Sequence, residues 1–198
     1  MEDKMDVNNI ITNFIQKRKR FSDTSEFSDL PGIYAIFTNS GLLANIPDPI
    51  PNDKIIYIGK TEKSQRSRDA NTHFSSGKTG SSTLRRSIGA LFREQMKLIP
   101  IPRSEIDIIK GRKSLFKFDP DSEEKITDWM RSELSLSFYE YPRKKHEIKL
   151  LETQLIHRLT PMLNLSKNPD NPYKNLISNL RKECGAIAYG TSNSRGEA

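Results

Sequence analysis

The chain has a single cysteine, Cys184, so no internal disulfide and no cysteine-based zinc site can form. No apolar run reaches the length of a bilayer span, which excludes a transmembrane helix of ordinary length. The first residues, Met1-Glu2-Asp3-Lys4-Met5-Asp6, lack the charged-then-apolar pattern of a secretory signal. A soluble, unexported, cytoplasmic protein with no membrane partner is therefore expected. Internal repeats, zinc-finger spacing and a helix-turn-helix pattern are also missing, so no separate DNA-reading module is expected. Gly59-Lys60-Thr61 and Gly77-Lys78-Thr79 look like the tail of a phosphate-binding loop. That motif needs an earlier glycine where this chain has Lys54 and Thr72, which excludes a nucleotide triphosphatase of that type.

Acidic residues are the minority. The net charge is +7 and the pI about 9.4, with the excess at Lys17-Arg18-Lys19-Arg20, Arg85-Arg86, Lys110-Gly111-Arg112-Lys113 and Arg143-Lys144-Lys145. Such clusters fit a polyanionic partner, although a solvated basic face is common in soluble proteins. At 198 residues the chain suits one core with elaborations, so a single domain over 1–198 is expected.

β-branched and aromatic residues are concentrated at Leu30 to Phe37 and again at Lys54 to Lys60, around an interval from Asn39 to Asp53 rich in Asn, Asp, Gly and Pro. Two antiparallel strands joined by a long loop follow. By alternation Tyr34 shares a face with Ile36, and Tyr57 with Ile55 and Gly59, while Ile33, Ala35, Phe37, Ile56 and Ile58 point the other way. Pairing then sets two phenols side by side. Upstream, Asp6 to Phe21 reads as a helix with Ile10 and Phe14 in its apolar stripe and Lys17 to Arg20 in its last turn. Downstream, Ser81 or Ser82 caps a helix whose Leu84, Ile88, Leu91 and Phe92 face the core, leaving Arg85, Arg86 and Arg93 outward.

Ile106 to Ile109 and Leu115 to Phe118 read as extended pieces around a turn at Gly111, and Asp119-Pro120-Asp121 opens a helix. Leu134 to Tyr141 alternates as a third strand of the main sheet, and Asn175 to Glu183 is a final helix before a disordered tail from Thr191. Between them a helix from about Arg143 to Leu159 presents Ile148, Leu151, Leu155, Ile156 and Leu159 on one face, with Glu152 among them. A carboxylate in that position needs a cation, hydrogen bonds or an opening to solvent. A divalent metal would serve, as would a buried arginine or tyrosine hydroxyls.

Gly32-Ile33-Tyr34 followed by Tyr57-Ile58-Gly59 resembles the signature of the GIY-YIG nuclease superfamily, which includes homing endonucleases and some restriction enzymes. The run Leu151-Glu152-Thr153-Gln154-Leu155-Ile156, with Thr160-Pro161-Met162-Leu163-Asn164 after it, is similar to the family's glutamate-bearing helix and trailing Pro-x-x-Asn. The resemblance covers 30–165 apart from an insertion at about 97–131; an N-terminal helix and connection over 1–29 and a C-terminal helix and tail over 166–198 lie outside it. It implies an α/β (α+β) fold, a small three-stranded antiparallel sheet flanked by helices, and a metal-dependent endonuclease that hydrolyses DNA phosphodiester bonds.

By the same resemblance, Glu152 holds one Mg²⁺ or Mn²⁺ and Tyr34 and Tyr57 position or deprotonate the attacking water, with a nearby arginine and metal lowering the phenol pKa. Arg68 clamps phosphate, with Arg66 as the other choice. Lys60 and His73 assist, and Asn164 is grouped with the substrate-binding residues, largely as a brace. Arg68 stands five residues before His73 where the family usually has four. That spacing keeps open a second reading, a nucleic-acid-binding protein of the same fold that does not cut. A third is an unrelated basic interaction protein, with Glu152 salt-bridged and far from both tyrosines. Site specificity would come from the insertion or from a homodimer on DNA.

Overall fold

The computed structural model describes residues 6–39, 46, 54–112 and 114–190. The expected tail from Thr191 and most of the expected loop between the first two strands lie outside them. Asp6 caps helix α1 (Val7–Gln16) by accepting the N–H groups of Asn8 and Asn9, and α1 buries Ile10 and Phe14. The helix ends before the basic run. Lys19–Arg20 forms a short edge strand, β1, that pairs antiparallel with Leu136 and Ser135. Lysine and arginine are good helix formers, but such preferences amount to a few tenths of a kcal/mol, roughly, per residue, and strand pairing together with the stacking of Phe21 on Phe74 at 4.5 Å overrides them.

The main sheet accordingly has four strands among the described residues, where three were expected. Its order is β1, β6 (Leu134–Glu140), β2 (Gly32–Thr38), β3 (Ile55–Thr61), with every pairing antiparallel. Strand β2 is central and buried along its whole length. Its Ile33, Ala35 and Phe37 pack with Ile58 under α1 and α5 (Lys145–Leu159), whereas Tyr34 and Ile36 join Tyr57 and Leu136 on the other face. That second face is covered by α2 (Thr83–Phe92), α4 (Pro120–Glu133) and α6 (Lys174–Ala188). Strict alternation fails at one place. Tyr57 pairs with Ile36 but Ile55 pairs with Phe37, so Ile56 is an extra residue. The bulge turns Ile56 to the tyrosine face and Ile55 to the opposite one, the reverse of the expected assignment.

The segment read as an insertion contains β4 (Pro100–Pro102) paired with β5 (Phe116–Phe118), and α3 (Glu105–Ile109) between them. Ile106 to Ile109 was expected to be extended; Ser104 instead caps it as a helix by accepting the Asp107 N–H, and the isoleucines 106, 108 and 109 remain exposed. Helix α4 begins as the sequence indicates, with Asp119 at the cap and Pro120 in the first turn. No described helix is long and apolar enough to cross a membrane.

Helix α2 departs most from its expected orientation. Arg85 is fully buried and Arg86 is 8% exposed, so neither faces outward. Arg85 donates to Glu123 of α4 at 2.7 Å, to Thr79 Oγ1 at 3.2 Å and to the carbonyl of His73 at 3.2 Å. Thr79 donates its hydroxyl proton to the same Glu123 carboxylate at 2.9 Å, so the pair is enclosed in hydrogen bonds. Glu123→Ala is expected to lower the unfolding free energy by about 3–5 kcal/mol, because an unpaired guanidinium would remain buried. A paired Arg85→Met, Glu123→Leu replacement should recover much of that loss in denaturant titrations; equal destabilisation by both changes would argue against an electrostatic origin.

Candidate active site

The strand register explains both glycines of the hairpin. Tyr34 lies opposite Gly59 in the β2–β3 pair, and a Cβ at residue 59 would overlap the Tyr34 ring and hydroxyl. A Cβ at Gly32 would likewise overlap the Tyr139 carbonyl on β6. Glycine therefore lets the phenol of Tyr34 lie down across the neighbouring strand. Tyr57, opposite Ile36, is its diagonal neighbour, with ring centroids 6.2 Å apart.

The chain after β3 forms a π-helix, Arg66–His73. Its wider turn is visible in the bonds from Phe74 N–H to the Asp69 carbonyl, 3.0 Å, and from Thr72 Oγ1 to the Ser67 carbonyl, 3.0 Å. Each spans five residues. A turn of that width brings Arg68 and His73 to one side, and both reach the Tyr34 hydroxyl, His73 Nε2 at 2.7 Å and Arg68 Nε–H at 3.4 Å. The five-residue separation between Arg68 and His73 is close to one turn of this wider helix. Arg66 points elsewhere: it is exposed and donates to Asp29 at 3.2 Å and to the Phe27 carbonyl at 3.2 Å.

Tyr34, Tyr57, Gly59, Lys60, Thr61, Glu62, Arg68 and Glu152 line one open pocket of about 450 Å³. Glu152 reaches it from α5 and is 13% exposed, with its carboxylate held by Lys167. It is salt-bridged, as the unrelated-protein reading required, yet it shares the pocket with both tyrosines, which that reading did not allow. Lys60 is paired with Glu62, which also binds Lys145 at 2.9 Å. Asn164 is outside the pocket and 7% exposed. Its side chain accepts the Ile58 N–H at 2.8 Å and donates to the Ile58 carbonyl at 2.8 Å, completing the open edge of β3 as another strand would. Leu163 N–H adds a bond to the Ile56 carbonyl at 2.9 Å. Asn164 thus ties β3 through both ends of its amide, and neither it nor Arg66, both grouped with the substrate-binding residues in the sequence, lines this pocket.

The electrostatics differ from expectation. Burial raises the Tyr34 pKa well above the usual phenol value, Tyr57 and Asp69 add to the rise, and Arg68 offsets only part of it. Tyr34 is a neutral phenol in this environment. Burial, with the charges of Arg68 and Arg85, pushes the His73 pKa well below the usual range, so the ring is neutral. Its Nδ1 lies 2.8 Å from Ser82 Oγ, which accepts the Arg85 N–H at 3.1 Å as the cap of α2. Sequence reading left the cap between Ser81 and Ser82, and could not show that the Ser82 oxygen also anchors the histidine. It also missed Glu62, Asp69 and Lys167.

Asp69 is fully buried, and neither carboxylate oxygen makes a well-formed hydrogen bond, the Gln65 amide approaching without completing one. Burial pushes its pKa up to about 8, with the nearby Gln65 amide and Arg68 guanidinium offsetting only part. The folded protein thus holds a proton that the unfolded chain releases near the ordinary aspartate value of about 3.9. Between those limits stability falls as pH rises, until the folded group also ionises. Asp69→Asn should therefore raise the melting temperature most at pH above about 8 and flatten this arm of the profile. A variant equally stabilised at all pH values would contradict a titrating origin.

A family model described as the GIY-YIG catalytic domain matches residues 32–183. The match runs from the first glycine of the hairpin into α6. No curated protein and no solved structure matches the chain.

Proposed function

The chain belongs to the GIY-YIG family, and from that premise we propose that it is a divalent-metal-dependent endonuclease hydrolysing phosphodiester bonds of DNA in the cytoplasm. The supporting observation is the meeting of two phenols, a guanidinium, an ammonium and a carboxylate in one open pocket. Phosphodiester hydrolysis needs an oriented water, positive charge at the phosphate and stabilisation of the charge that develops on its oxygens. Arg68 binds a nonbridging oxygen, and Lys60 supplies a second positive charge on the same wall. His73 and Arg68 hold the Tyr34 hydroxyl, leaving its oxygen to receive a hydrogen bond from the attacking water. Tyr57, whose hydroxyl rests 3.3 Å from Thr83 Oγ1, flanks the water on the other side.

The donors fit a hard cation. Glu152 is a carboxylate on the pocket wall, neither imidazole nor thiol lines the pocket, and no cluster of three or more acidic, histidine or cysteine ligands occurs among the described residues. Such a site leaves most of the coordination to water and phosphate, which suits Mg²⁺ or Mn²⁺. Bound there, the ion supplies Lewis-acid charge neutralisation at the phosphate.

Glu152→Ala and Tyr57→Phe are expected to lower metal-dependent nicking of plasmid DNA by about 100-fold or more while the protein stays folded. Full activity in either purified variant would sink the assignment. Binding of DNA without cleavage in Mg²⁺ or Mn²⁺ would favour the non-cutting reading. The two arginines also separate. Arg68→Ala should cost about 100-fold or more in turnover, whereas Arg66→Ala should stay close to the wild-type rate.

A further inference from the structure

Arg86 is an unexplained charge among the described residues. The residue is 8% exposed, its buried Nε–H has no acceptor, and it has no ion-pair partner among the described residues. Buried guanidinium groups are ordinarily paired, as Arg85 is one position earlier. The group nearest in kind is another cation. Arg181, on α6 where that helix packs against α2, is half-buried and has no acidic partner among the described residues. Arg103 adds further positive charge, although Asp107 holds it at 2.7 and 3.0 Å. Burial and the repulsion of Arg181 and Arg103 lower the Arg86 pKa to about 10, and no carboxylate acts to raise it. A buried cation near a second cation, with no anion between them, is unfavourable in the free protein, and a bound anion relieves that penalty.

Their position suggests which anion. The Tyr57 hydroxyl touches Thr83 in the first turn of α2, and Arg86 lies three residues further along the same face. Arg181 lies one turn beyond Ile177, which shares the apolar cluster of Tyr57. Neither arginine lines the pocket that contains Arg68 and Glu152. They flank Tyr57 outside that pocket, where a strand whose scissile phosphate occupied the pocket would present a neighbouring phosphate. Resting on the nuclease reading above, we propose that Arg86 and Arg181 form a second phosphate subsite that grips a non-reacting phosphate of the DNA backbone beside Tyr57. The subsite reads backbone position and carries no base information.

The test is binding of a fluorescently labelled DNA duplex to the full chain without divalent metal, measured across a salt series. The double Arg86→Gln, Arg181→Gln variant is expected to bind at least about tenfold more weakly at low salt, and its log–log salt slope should be shallower by about 0.9, the value for one lost phosphate contact. Arg86→Lys should keep most of the slope because the charge remains. Arg20→Gln, on the opposite sheet edge, should match the wild type. Thermal melting of each variant reports folding, and removal of mutually repelling charges should leave the melting temperature unchanged or raised. A wild-type slope in the double variant overturns the subsite and leaves the nuclease proposal standing. A lowered melting temperature with an unchanged slope assigns the arginines to structure and also overturns it. A wild-type chain that neither binds nor cuts DNA overturns both readings.

Discussion

A buried line of polar groups joins the pocket to the heart of the helical layer. It runs from the Tyr34 hydroxyl to His73, from His73 to Ser82, from Ser82 to the start of α2, and from Arg85 to Glu123 on α4. Every side chain on it is 2% exposed or less. In such surroundings an unmet donor or acceptor is costly, so each group is held by the next. The requirement fixes four elements at once: the central strand, the π-helix, α2 and α4. Arg85 does this twice, through the Glu123 carboxylate and the His73 carbonyl.

The π-helix is the second constraint. Wider turns are uncommon because they loosen the helix, and they recur where a side chain must be re-aimed. Here the turn brings Arg68 and His73 to one hydroxyl while burying Asp69 without a well-formed hydrogen bond. The same segment thus organises the pocket and carries an unfavourable buried carboxyl. The buried ion pair and the apolar layers around it offset that strain.

The cations of the chain divide by environment. Arg85 is buried and paired, Arg86 is buried and unpaired, Arg68 is partly buried on the pocket wall, and Arg66 is exposed and tied to Asp29. In the sequence they are interchangeable members of basic clusters. Desolvation and partner geometry alone distinguish them, which is why net charge indicated a polyanion but gave no residue a role.

Local pattern in the sequence determined the paired strands with their tyrosines, the helix starts at Asp6 and Asp119, a serine cap on α2 at 81 or 82, the apolar stripe of α2, and a glutamate among the apolar residues of α5. These follow from alternation, helical period and capping chemistry, which act over a few residues. The tertiary structure alone decided the fourth strand at Lys19–Arg20, the bulge at Ile56, the inward turn of Arg85, the bracing role of Asn164 and the choice between Arg66 and Arg68 at the pocket. Each depends on a partner far away in the chain, such as Ser135 for Arg20 or Ile58 for Asn164. Pairing and desolvation energies of that kind outweigh local preferences of a few tenths of a kcal/mol, roughly, per residue, and no local pattern records them.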